Sequence, residues 1–443
     1  MLKVLVIGNG GREHTLCWAI AQSSQVEKVF CAPGNAGIDD VATPVDLAAG
    51  DIDALLGFAQ REKIDLTVVG PEAPLVAGIV DRFRDAKLRI YGPSQAAARL
   101  EGSKAFAKEF MRRHHIPTGP FAIFDDFDEA RRFIAESEGQ LVVKADGIAA
   151  GKGVIVCNDP ADAEEAARQM MREQVFGAAG SRIVIERKLV GEEVSLMGFC
   201  DGERVVPMIP ARDYKPIYDG DRGPNTGGMG SYAPARLPEE FDVNDICESV
   251  LQTAVEGMAA EGTPYVGILY AGLMLTDAGP RVLEFNCRFG DPETQAVLPL
   301  LGTDIIDIIG ASLAGQLDLE PVKWRDLYCT CVILASSGYP GSPEKGKPIS
   351  GPLKTDSGEV FRFHAGTAKS NGQTVTSGGR VMGVCARATT HESAVANAYT
   401  EIERITFDGM QYRTDIGVRK GPVSRPRQRR QTPDRRSKKT RYR

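Results

Sequence analysis

The sequence lacks any apolar run that could cross a membrane. A spanning helix needs about 18 or more apolar residues in succession, and the most apolar stretch, residues 297–317, is interrupted by Asp304 and Asp307. The first residues form a short apolar run that leads straight into glycines, without the charged region, longer apolar core and cleavage site of a signal peptide. We therefore expect no membrane association and a cytoplasmic location.

Metal-binding motifs built on cysteine or histidine are also absent. The chain has nine cysteines without a CxxC pair, and its five histidines are not spaced as pairs of ligands. A zinc site is therefore not expected. Cys329 and Cys331 alternate along an apolar segment, so we interpret them as core residues on one face of a strand.

Positive charge is concentrated in the carboxy-terminal tail. The net charge of the chain is −6, but residues 419–443 hold twelve Lys/Arg against one Asp, a net +11 that leaves −17 on the remainder. Three prolines and almost no apolar residues predict that this tail is disordered. The basic tail raises the alternative that the protein binds nucleic acid. The negative charge of the rest of the chain argues against nucleic-acid binding as the main function, although the tail itself could bind polyanions.

The amino-terminal part alternates the signals of strands and helices. Apolar, β-rich runs occur at residues 4–7, 26–31, 66–69 and 88–91, and an amphipathic stretch lies at 53–61. This rhythm predicts βαβ units in a parallel, doubly wound sheet. Ligands of such sheets bind at the carboxyl ends of the strands, where the turns after the first and third of these runs are expected.

The turn after the first strand resembles a dinucleotide-binding loop only superficially. Its third glycine position is Glu13, and no acidic residue closes the second strand, so a nicotinamide site is not expected. Backbone N–H groups at a helix start and the cation of Arg12 still favour an anion there. We predict phosphate binding, with a plain tight turn as the alternative.

The middle of the chain carries a second glycine-rich loop and a candidate metal site. Lys144 and Lys152 enclose the small residues of KADGIAAGKG, which could lie close over a polyphosphate although the spacing is not that of a Walker A loop. Glu284 and Asn286 alternate along a strand predicted at 281–286, so their side chains share one face. A carboxylate and an amide oxygen suit Mg²⁺, and a surface polar pair is the alternative.

The remaining elements of the middle and carboxy-terminal parts follow from the same patterns. We predict helices at residues 104–113, 243–260 and 391–402, and a long Gly/Pro/Asp-rich loop at about 214–234. Strands are predicted at residues 183–187, 194–200, 204–208, 268–275, 329–335, 360–363 and 381–387.

Six motifs, in order, give the chain a close resemblance to a known family. They are GNGGREH, GPEAPL, GSKAF, VVKADGIAAGKGV, GPNTGGMGSY and EFNCRFGDPETQ. The set resembles the glycinamide ribonucleotide synthetases, ATP-grasp ligases also called phosphoribosylamine–glycine ligases, from residue 1 to about 417. The resemblance implies an α/β fold: a Rossmann-like domain at 1–102, an ATP-grasp module at 103–326 with a mobile lid at about 120–190, a small α/β domain at 327–418, and the disordered basic tail at 419–443.

The resemblance also implies the reaction and its residues. Glycine and 5-phosphoribosylamine would be joined at the expense of ATP, with Mg²⁺ or Mn²⁺, by a monomer or weak homodimer. The residues implied for ATP are Lys104, Lys144, Gly151, Lys152, Glu186, Leu189 and Glu193, and those for the metal are Glu284 and Asn286. The residues implied for the other substrates are Gly10, Gly11, Glu72, Asp213, Asn225, Thr226, Arg288 and Asp291, with Arg288, Lys144 and Asp213 catalytic.

Two segments depart from the family pattern. Arg187 and Lys188 stand where an acidic–aromatic pair is usual, and Tyr214 and Pro216 replace a usual His and Arg. These departures affect the residue assignments near Asp213 more than the family assignment. Another ATP-grasp ligase or carboxylase on the same scaffold is the enzymatic alternative.

Overall fold

The computed structural model of the chain describes residues 1–148, 153–317, 321–355 and 358–418. Gly151, Lys152 and the basic tail, on which three of the predictions fall, lie outside these ranges. The described residues form a mixed α/β structure, which confirms the predicted fold class. Within them, no helix has both the length and the apolar character needed to span a membrane.

The amino-terminal part is a five-stranded sheet in which every pair of strands is parallel. The strand order is β3-β2-β1-β4-β5, and β1 and β4 lie side by side with Ile7 opposite Val69, so the turns that follow these two strands meet. The elements are β1 Leu2–Gly8, α1 Gly11–Ala21, β2 Val26–Pro33, β3 Thr43–Pro44, α2 Ile52–Glu62, β4 Leu66–Val69, α3 Glu72–Val76, α4 Ile79–Asp85, β5 Ile90–Tyr91 and α5 Arg99–Gly102.

The next part is a small antiparallel sheet covered by two helices. Asp126 and Asp159 cap these helices by accepting backbone N–H groups, and apolar side chains such as Ile134, Val143 and Ile185 form a core of their own beneath them. The strand order is β6-β9-β7-β8. The elements are α6 Lys104–Arg113, β6 Phe121–Phe124, α7 Phe127–Glu136, β7 Leu141–Ala145, β8 Val154–Val156, α8 Pro160–Met171 and β9 Ile183–Arg187.

A second antiparallel sheet, β11-β10-β16-β17, forms the floor of the middle part. Its elements and those that surround it are β10 Glu192–Asp201, β11 Val205–Pro207, β12 Arg212–Asp213, β13 Pro216–Tyr218, β14 Arg222–Asn225, β15 Gly230–Ala233, α9 Val243–Ile246, α10 Thr253–Ala260, β16 Val266–Thr276, β17 Gly279–Asn286, α11 Glu293–Val297 and α12 Ile305–Ala314. A π-helical turn, Cys247–Gln252, joins α9 to α10, so the predicted helix at 243–260 is continuous.

The prediction of a long loop at 214–234 is wrong. This segment holds the hairpin of β13 and β14 and the strand β15, in which Gly230 pairs with Val332. The Gly/Pro-rich composition predicted irregular backbone, but β13 and β14 pair with each other, and β15 pairs with β12 and with a strand about 100 residues further along the chain. A local pattern carries no information about that distant partner.

The carboxy-terminal part completes a sheet begun in the middle of the chain. Its order is β12-β15-β18-β22-β19, and α13 packs on it. The elements are β18 Tyr328–Ala335, β19 Val360–His364, β20 Thr367–Ser370, β21 Gln373–Thr376, β22 Arg380–Ala388 and α13 His391–Ile402. Cys329 and Cys331 have no exposed surface, which confirms that they are core residues.

Two large apolar cores bind these parts together. One joins the first sheet to β16, β17 and the helices at 243–260. The other joins α1 and α12 to the carboxy-terminal sheet, with Trp18 packed edge-on against Phe361 and Phe363. The parts therefore pack as one body, and the main cavity lies where they meet.

Candidate active site

A cavity of about 480 Å³ collects most of the predicted site residues. Its walls come from the turns after β1 and β4, the two antiparallel sheets of the middle part and the segment that follows β17. The predicted residues that line it are Lys104, Lys144, Glu186, Leu189, Glu193, Glu72, Asp213, Asn225, Thr226, Arg288, Asp291, Glu284 and Asn286. Residues far apart in sequence are thus brought to one place.

Glu284 and Asn286 lie at the end of β17, as the alternation of side chains predicted. Glu284 is opposite Gly272 on β16, which leaves room for the carboxylate, and Asn286 is opposite Tyr270. Among the described residues, no side chain or backbone group makes a hydrogen bond to the Glu284 carboxylate. The Asn286 Oδ1 accepts one from Arg288 Nη2 at 3.0 Å and keeps a second lone pair. A hard cation fits this donor set.

Four cations surround Glu284. Burial alone would raise the pKa of Glu284, but the charges of Lys215, Lys144, Lys104 and Arg288 outweigh it and hold the pKa below its ordinary value. Lys104, whose Nζ donates to the carbonyl of Gly147 at 3.1 Å, has its pKa lowered, mainly by burial. Several lysine and arginine side chains are therefore close together at this end of the cavity, where they could bind a polyphosphate.

A second buried cluster lies beside the first. Glu186 on β9 is between Lys108 and Lys144, with Oε2 2.8 Å from Lys108 Nζ and Oε1 2.7 Å from Lys144 Nζ. Aliphatic side chains, among them Val142, Met274 and Leu283, line the same wall. Leu189 and Glu193 stand at its rim. An apolar slot with a carboxylate at its end suits a planar, hydrogen-bonding base.

Arg288 is at the centre of a network that links the cavity to the first sheet. Its Nη2 is 3.0 Å from Glu101 Oε1, and its Nε is 3.4 Å from Glu72 Oε2. The other oxygen of Glu101 accepts the backbone N–H of Cys287 at 2.7 Å. Burial would raise the pKa of Glu72, but Arg288 and Arg12 hold it below its ordinary value. The guanidinium is therefore fixed in position and presents its charge to the cavity.

Asp213, which is buried, and Lys215, whose side chain is 35% exposed, form an ion pair on the opposite side. Lys215 Nζ donates to Asp213 Oδ2 at 2.8 Å, and Asp213 Oδ1 has no hydrogen-bond partner in the described part of the chain. Burial raises the pKa of Asp213 to about 6, against the opposing effect of Lys215. Asn225 and Thr226 complete this wall, and Thr226 Oγ1 donates to the carbonyl of Lys215 at 2.7 Å.

Arg413 holds the β13–β14 hairpin between these residues in place. The side chain of Arg413 has no exposed surface. It donates to the carbonyl of Pro216 at 3.0 Å, to Asp221 Oδ1 at 2.9 Å and to both oxygens of Asp415, and it lies over the ring of Tyr214. The carboxy-terminal part thus supports the wall that carries Asp213, Lys215, Asn225 and Thr226.

Gly10 and Gly11 do not line the cavity but adjoin it. A β-carbon on Gly10 would lie 2.8 Å from Glu13 Oε2 and 3.3 Å from Asp291 Oδ2, and one on Gly11 would lie 2.6 Å from Gln295 Nε2, so a larger residue at either position would displace these side chains. Asp291 is paired with Arg380 at 3.0 Å. Arg12, at the same turn, donates to the carbonyl of Phe289 at 3.2 Å. The backbone N–H of Gly10 and the Nε of Arg12 both donate to the Glu13 carboxylate in this structure, and phosphate binding at this turn stays a prediction.

Sequence reasoning missed several charged residues of the cavity. They are Glu101, Lys108, Lys215, Glu293 and Arg380. Lys215 could have been found, because it stands between two positions already noted as departures from the family pattern. Glu293 could also have been found, because it lies within the motif EFNCRFGDPETQ. Glu101, Lys108 and Arg380 lie in ordinary helical or strand contexts, and only the fold brings them to the site.

Models of three domains of one family match almost the whole chain. The phosphoribosylglycinamide synthetase N domain matches residues 2–101, the ATP-grasp (A) domain residues 102–294, and the C domain residues 329–419. The chain is 50% identical to a phosphoribosylamine–glycine ligase of Caldanaerobacter subterraneus subsp. tengcongensis, over 94% of this chain and 100% of the relative. It is 49% identical to the human trifunctional purine biosynthetic protein adenosine-3, over 94% of this chain and 42% of that protein.

Solved structures show the same likeness. The phosphoribosylamine–glycine ligase of Thermotoga maritima superposes with a TM-score of 0.81 at 35% identity, over 94% of this chain and 100% of that one. A biotin carboxylase of Campylobacter jejuni superposes with a TM-score of 0.73 at 16% identity, over 93% of each chain, which shows a shared fold alone.

Proposed function

Because the chain belongs to the phosphoribosylglycinamide synthetase family, we propose that it joins glycine to 5-phosphoribosylamine in purine biosynthesis, with ATP converted to ADP and phosphate. A carboxylate is a poor electrophile, so the glycine carboxylate would first attack the γ-phosphate of ATP to give glycyl phosphate and ADP. The amine of phosphoribosylamine would then attack the carbonyl carbon, the bond from that carbon to the phosphate oxygen would break, and phosphate would leave.

The cavity supports a specific orientation of ATP. Lys104 and Lys144 would bind the phosphates, together with Gly151 and Lys152 of the loop outside the described residues. Glu186 and the backbone at Leu189 would bind adenine beside the aliphatic wall, and Glu193 at the rim would bind the ribose. The part with its own apolar core, residues 120–190, would act as the lid, since its packing does not depend on closure.

Glu284 and Asn286 would hold the divalent metal that ATP-grasp enzymes use, and we propose Mg²⁺, with Mn²⁺ as a substitute. The Glu284 carboxylate is ionised and open to the cavity, and the Asn286 oxygen is beside it. When bound, the ion would neutralise charge on the phosphoryl groups and polarise the transferred one.

The residues around the reacting groups supply positioning and charge. Arg288 and Lys144 would offset negative charge on the transferred phosphoryl group. Gly10, Gly11 and Glu72 would hold phosphoribosylamine, with its phosphate at the turn beside Arg12. Asn225, Thr226 and Asp291 would orient glycine and the attacking amine. No nucleophilic side chain is needed, because the reaction is catalysed mainly by orientation.

Asp213 is the residue best suited to take the proton that the amine loses. Asp213 lines the cavity, and its buried Oδ1 has no hydrogen-bond partner among the described residues. A carboxylate whose pKa is raised to about 6 is ionised at neutral pH and still basic enough to accept a proton. Lys215 would keep the carboxylate in position.

One observation carries the proposal beyond family membership. Lys104, Lys144, Lys215 and Arg288 converge on Glu284 in the same cavity that contains Asp213 and Glu72. This arrangement provides a cationic polyphosphate site next to a second site for a substrate that carries an amine and a phosphate.

Measurement of ADP release with each substrate omitted in turn tests the proposed function. We expect ADP formation that requires both glycine and phosphoribosylamine and that bicarbonate does not support in place of glycine. Equal ADP release without glycine would contradict the proposal. Since the substrates belong to purine biosynthesis, we also propose a cytoplasmic location, with the enzyme a monomer or weak homodimer.

A further inference from the structure

Lys108 is a buried lysine that the proposed mechanism does not use. Its side chain is 2% exposed and reaches the cavity wall from α6. The Nζ donates to Thr118 Oγ1 at 2.7 Å, to Glu186 Oε2 at 2.8 Å and to the carbonyl of Val282 at 3.4 Å. An ammonium group has three N–H donors, so these contacts use all of them and leave none for a ligand.

The two oxygens of Glu186 are not equivalent. Oε2 accepts the hydrogen bond from Lys108, whereas the buried Oε1 has no hydrogen-bond partner among the described residues. Lys144 Nζ lies 2.7 Å from Oε1, but without hydrogen-bond geometry, and it donates instead to the carbonyl of Leu283 at 2.9 Å. One oxygen of the carboxylate is therefore held by Lys108, and the other is next to Lys144, the lysine proposed to bind the phosphates of ATP.

We propose that Lys108 is a positioning residue that makes the enzyme select a 6-aminopurine nucleotide over a 6-oxopurine nucleotide, by holding Glu186 as an ionised acceptor in the base slot. This rests on the proposed nucleotide site. An ionised carboxylate can only accept hydrogen bonds. It attracts the amino group at C6 of adenine and repels the carbonyl oxygen at C6 of hypoxanthine or guanine.

Removal of the Lys108 charge changes the chemistry of that acceptor. Burial raises the pKa of Glu186, and the charges of Lys144 and Lys108 keep it below its ordinary value. With Lys108 neutral, the carboxyl group binds a proton more readily and is no longer held at Oε2. A protonated carboxyl group both donates and accepts, so it tolerates a 6-oxo group as well as a 6-amino group.

The dissociation constants of ATP and ITP, measured by calorimetry without the other substrates, test the inference. In Lys108→Met we expect weaker ATP binding, unchanged or tighter ITP binding, and a preference for ATP that falls by at least about tenfold, or about 1.4 kcal/mol. Lys108→Gln should do the same, and Lys108→Arg, which keeps the charge, should retain the preference. Arg112→Met on the exposed face of the same helix is the matched control.

Equal weakening of ATP and ITP in the neutral variants would overturn the inference and leave Lys108 a structural residue. If neither neutral variant folds, Lys108→Arg tests the role of the charge, since loss of the preference for ATP in that variant would overturn the inference, and the wild-type enzyme tests the Glu186 acceptor. Purine riboside triphosphate, which has hydrogen at C6, should bind more weakly than ATP and more tightly than ITP. If ITP binds as tightly as purine riboside triphosphate, the Glu186 carboxylate does not repel the carbonyl oxygen at C6. A wild-type protein that binds no ATP would contradict the proposed function itself.

Discussion

At the scale of single residues, the charged side chains of the cavity depend on one another, because each is compensated by charges from other segments of the chain. The charges of four cations from four segments of the chain hold the pKa of Glu284 below its ordinary value against the effect of burial. The partial burial of Lys215 would lower its pKa, yet the Asp213 carboxylate holds that pKa well above its ordinary value. Substitution of one member therefore leaves the others without compensation, and the effect on activity should exceed the loss of one contact.

Glu284→Ala should lower kcat by at least about tenfold, a barrier increase of about 1.4 kcal/mol. The substitution removes the charged ligand of the proposed metal site and leaves the surrounding cations uncompensated. Asn286→Ala should be milder, since it removes a neutral donor. Titration with Mg²⁺ and Mn²⁺ in a steady-state assay checks this, and partial rescue by excess metal is expected. Glu203→Ala, at an exposed turn, is the control. A wild-type kcat in Glu284→Ala would mean that Glu284 and Asn286 have only a structural role.

The pH dependence of turnover should report the Asp213 carboxylate. Because burial raises the pKa of Asp213 to about 6, the group is protonated below that pH and ionised above it. If Asp213 accepts the proton of the attacking amine, kcat should fall as the pH drops through about 6 and level off above it. Asp213→Asn should be slow at every pH and lack this inflection. An unchanged acid limb in Asp213→Asn would assign the titration to another group.

Site residues could be predicted where neighbouring residues in the sequence determine their position, and were missed where distant residues determine it. Glu284 and Asn286 could be predicted, because alternation along one strand places both side chains on the same face. Lys108 could not, because a lysine in the first turns of an amphipathic helix ordinarily faces solvent. Its burial depends on Thr118, Glu186 and Val282, which lie 10, 78 and 174 residues away.

At the scale of elements, local capping and alternation predicted most boundaries well. The helix α6 begins and ends where predicted, since Ser103 accepts the N–H of Phe106 and fixes the start. The strand β9 also matches, because an apolar run between turns is a local signal. The segment 214–234 was missed because its strands pair with each other as a short hairpin and with a strand in another domain. The domain boundaries proposed at 102 and 326 remain predictions.

The β13–β14 hairpin gives a prediction at this scale. Arg413→Lys removes the planar fork that joins Pro216, Asp221 and Asp415, and one ammonium group cannot replace it. We expect kcat to fall about tenfold, faster hydrogen exchange in residues 216–225, and an unchanged dissociation constant for ATP, whose site lies on other elements. Arg404→Lys, on an exposed helix end, is the control. Normal exchange in the hairpin with reduced kcat would contradict this account.

At the scale of the whole molecule, the end of the described chain is part of the site's support, and we predict that catalysis does not need the tail beyond it. The backbone N–H of Gly417 donates to Tyr214 Oη at 3.1 Å, its carbonyl contacts His391 Nε2 at 2.7 Å, and the N–H of Thr414 donates to Asp219 Oδ1 at 2.8 Å. Every residue proposed for the site precedes this segment. The place of a truncation should therefore decide its effect.

Truncation after Val418 should leave ligase activity within about threefold, a barrier change below about 0.7 kcal/mol. It should also abolish retention on a phosphate-bearing resin at low salt, because the tail carries a net charge of +11 that salt screens over about 8 Å at physiological strength. Truncation after Tyr412 should remove the support of the hairpin and reduce activity far more. Loss of activity in a folded protein truncated after Val418 would place the tail in the site.

The pairing of β15 with β18 also constrains the order in which the newly made chain can fold. Gly230 cannot pair with Val332 until the ribosome has added about 100 more residues. At a synthesis rate of about 5–20 residues per second, this takes about 5 to 20 s. During that time the strand edge is unpaired and open to chaperones or to other nascent chains. Nascent chains arrested before residue 328 should therefore be cut by protease within residues 212–233, whereas released full-length chains should resist cleavage there.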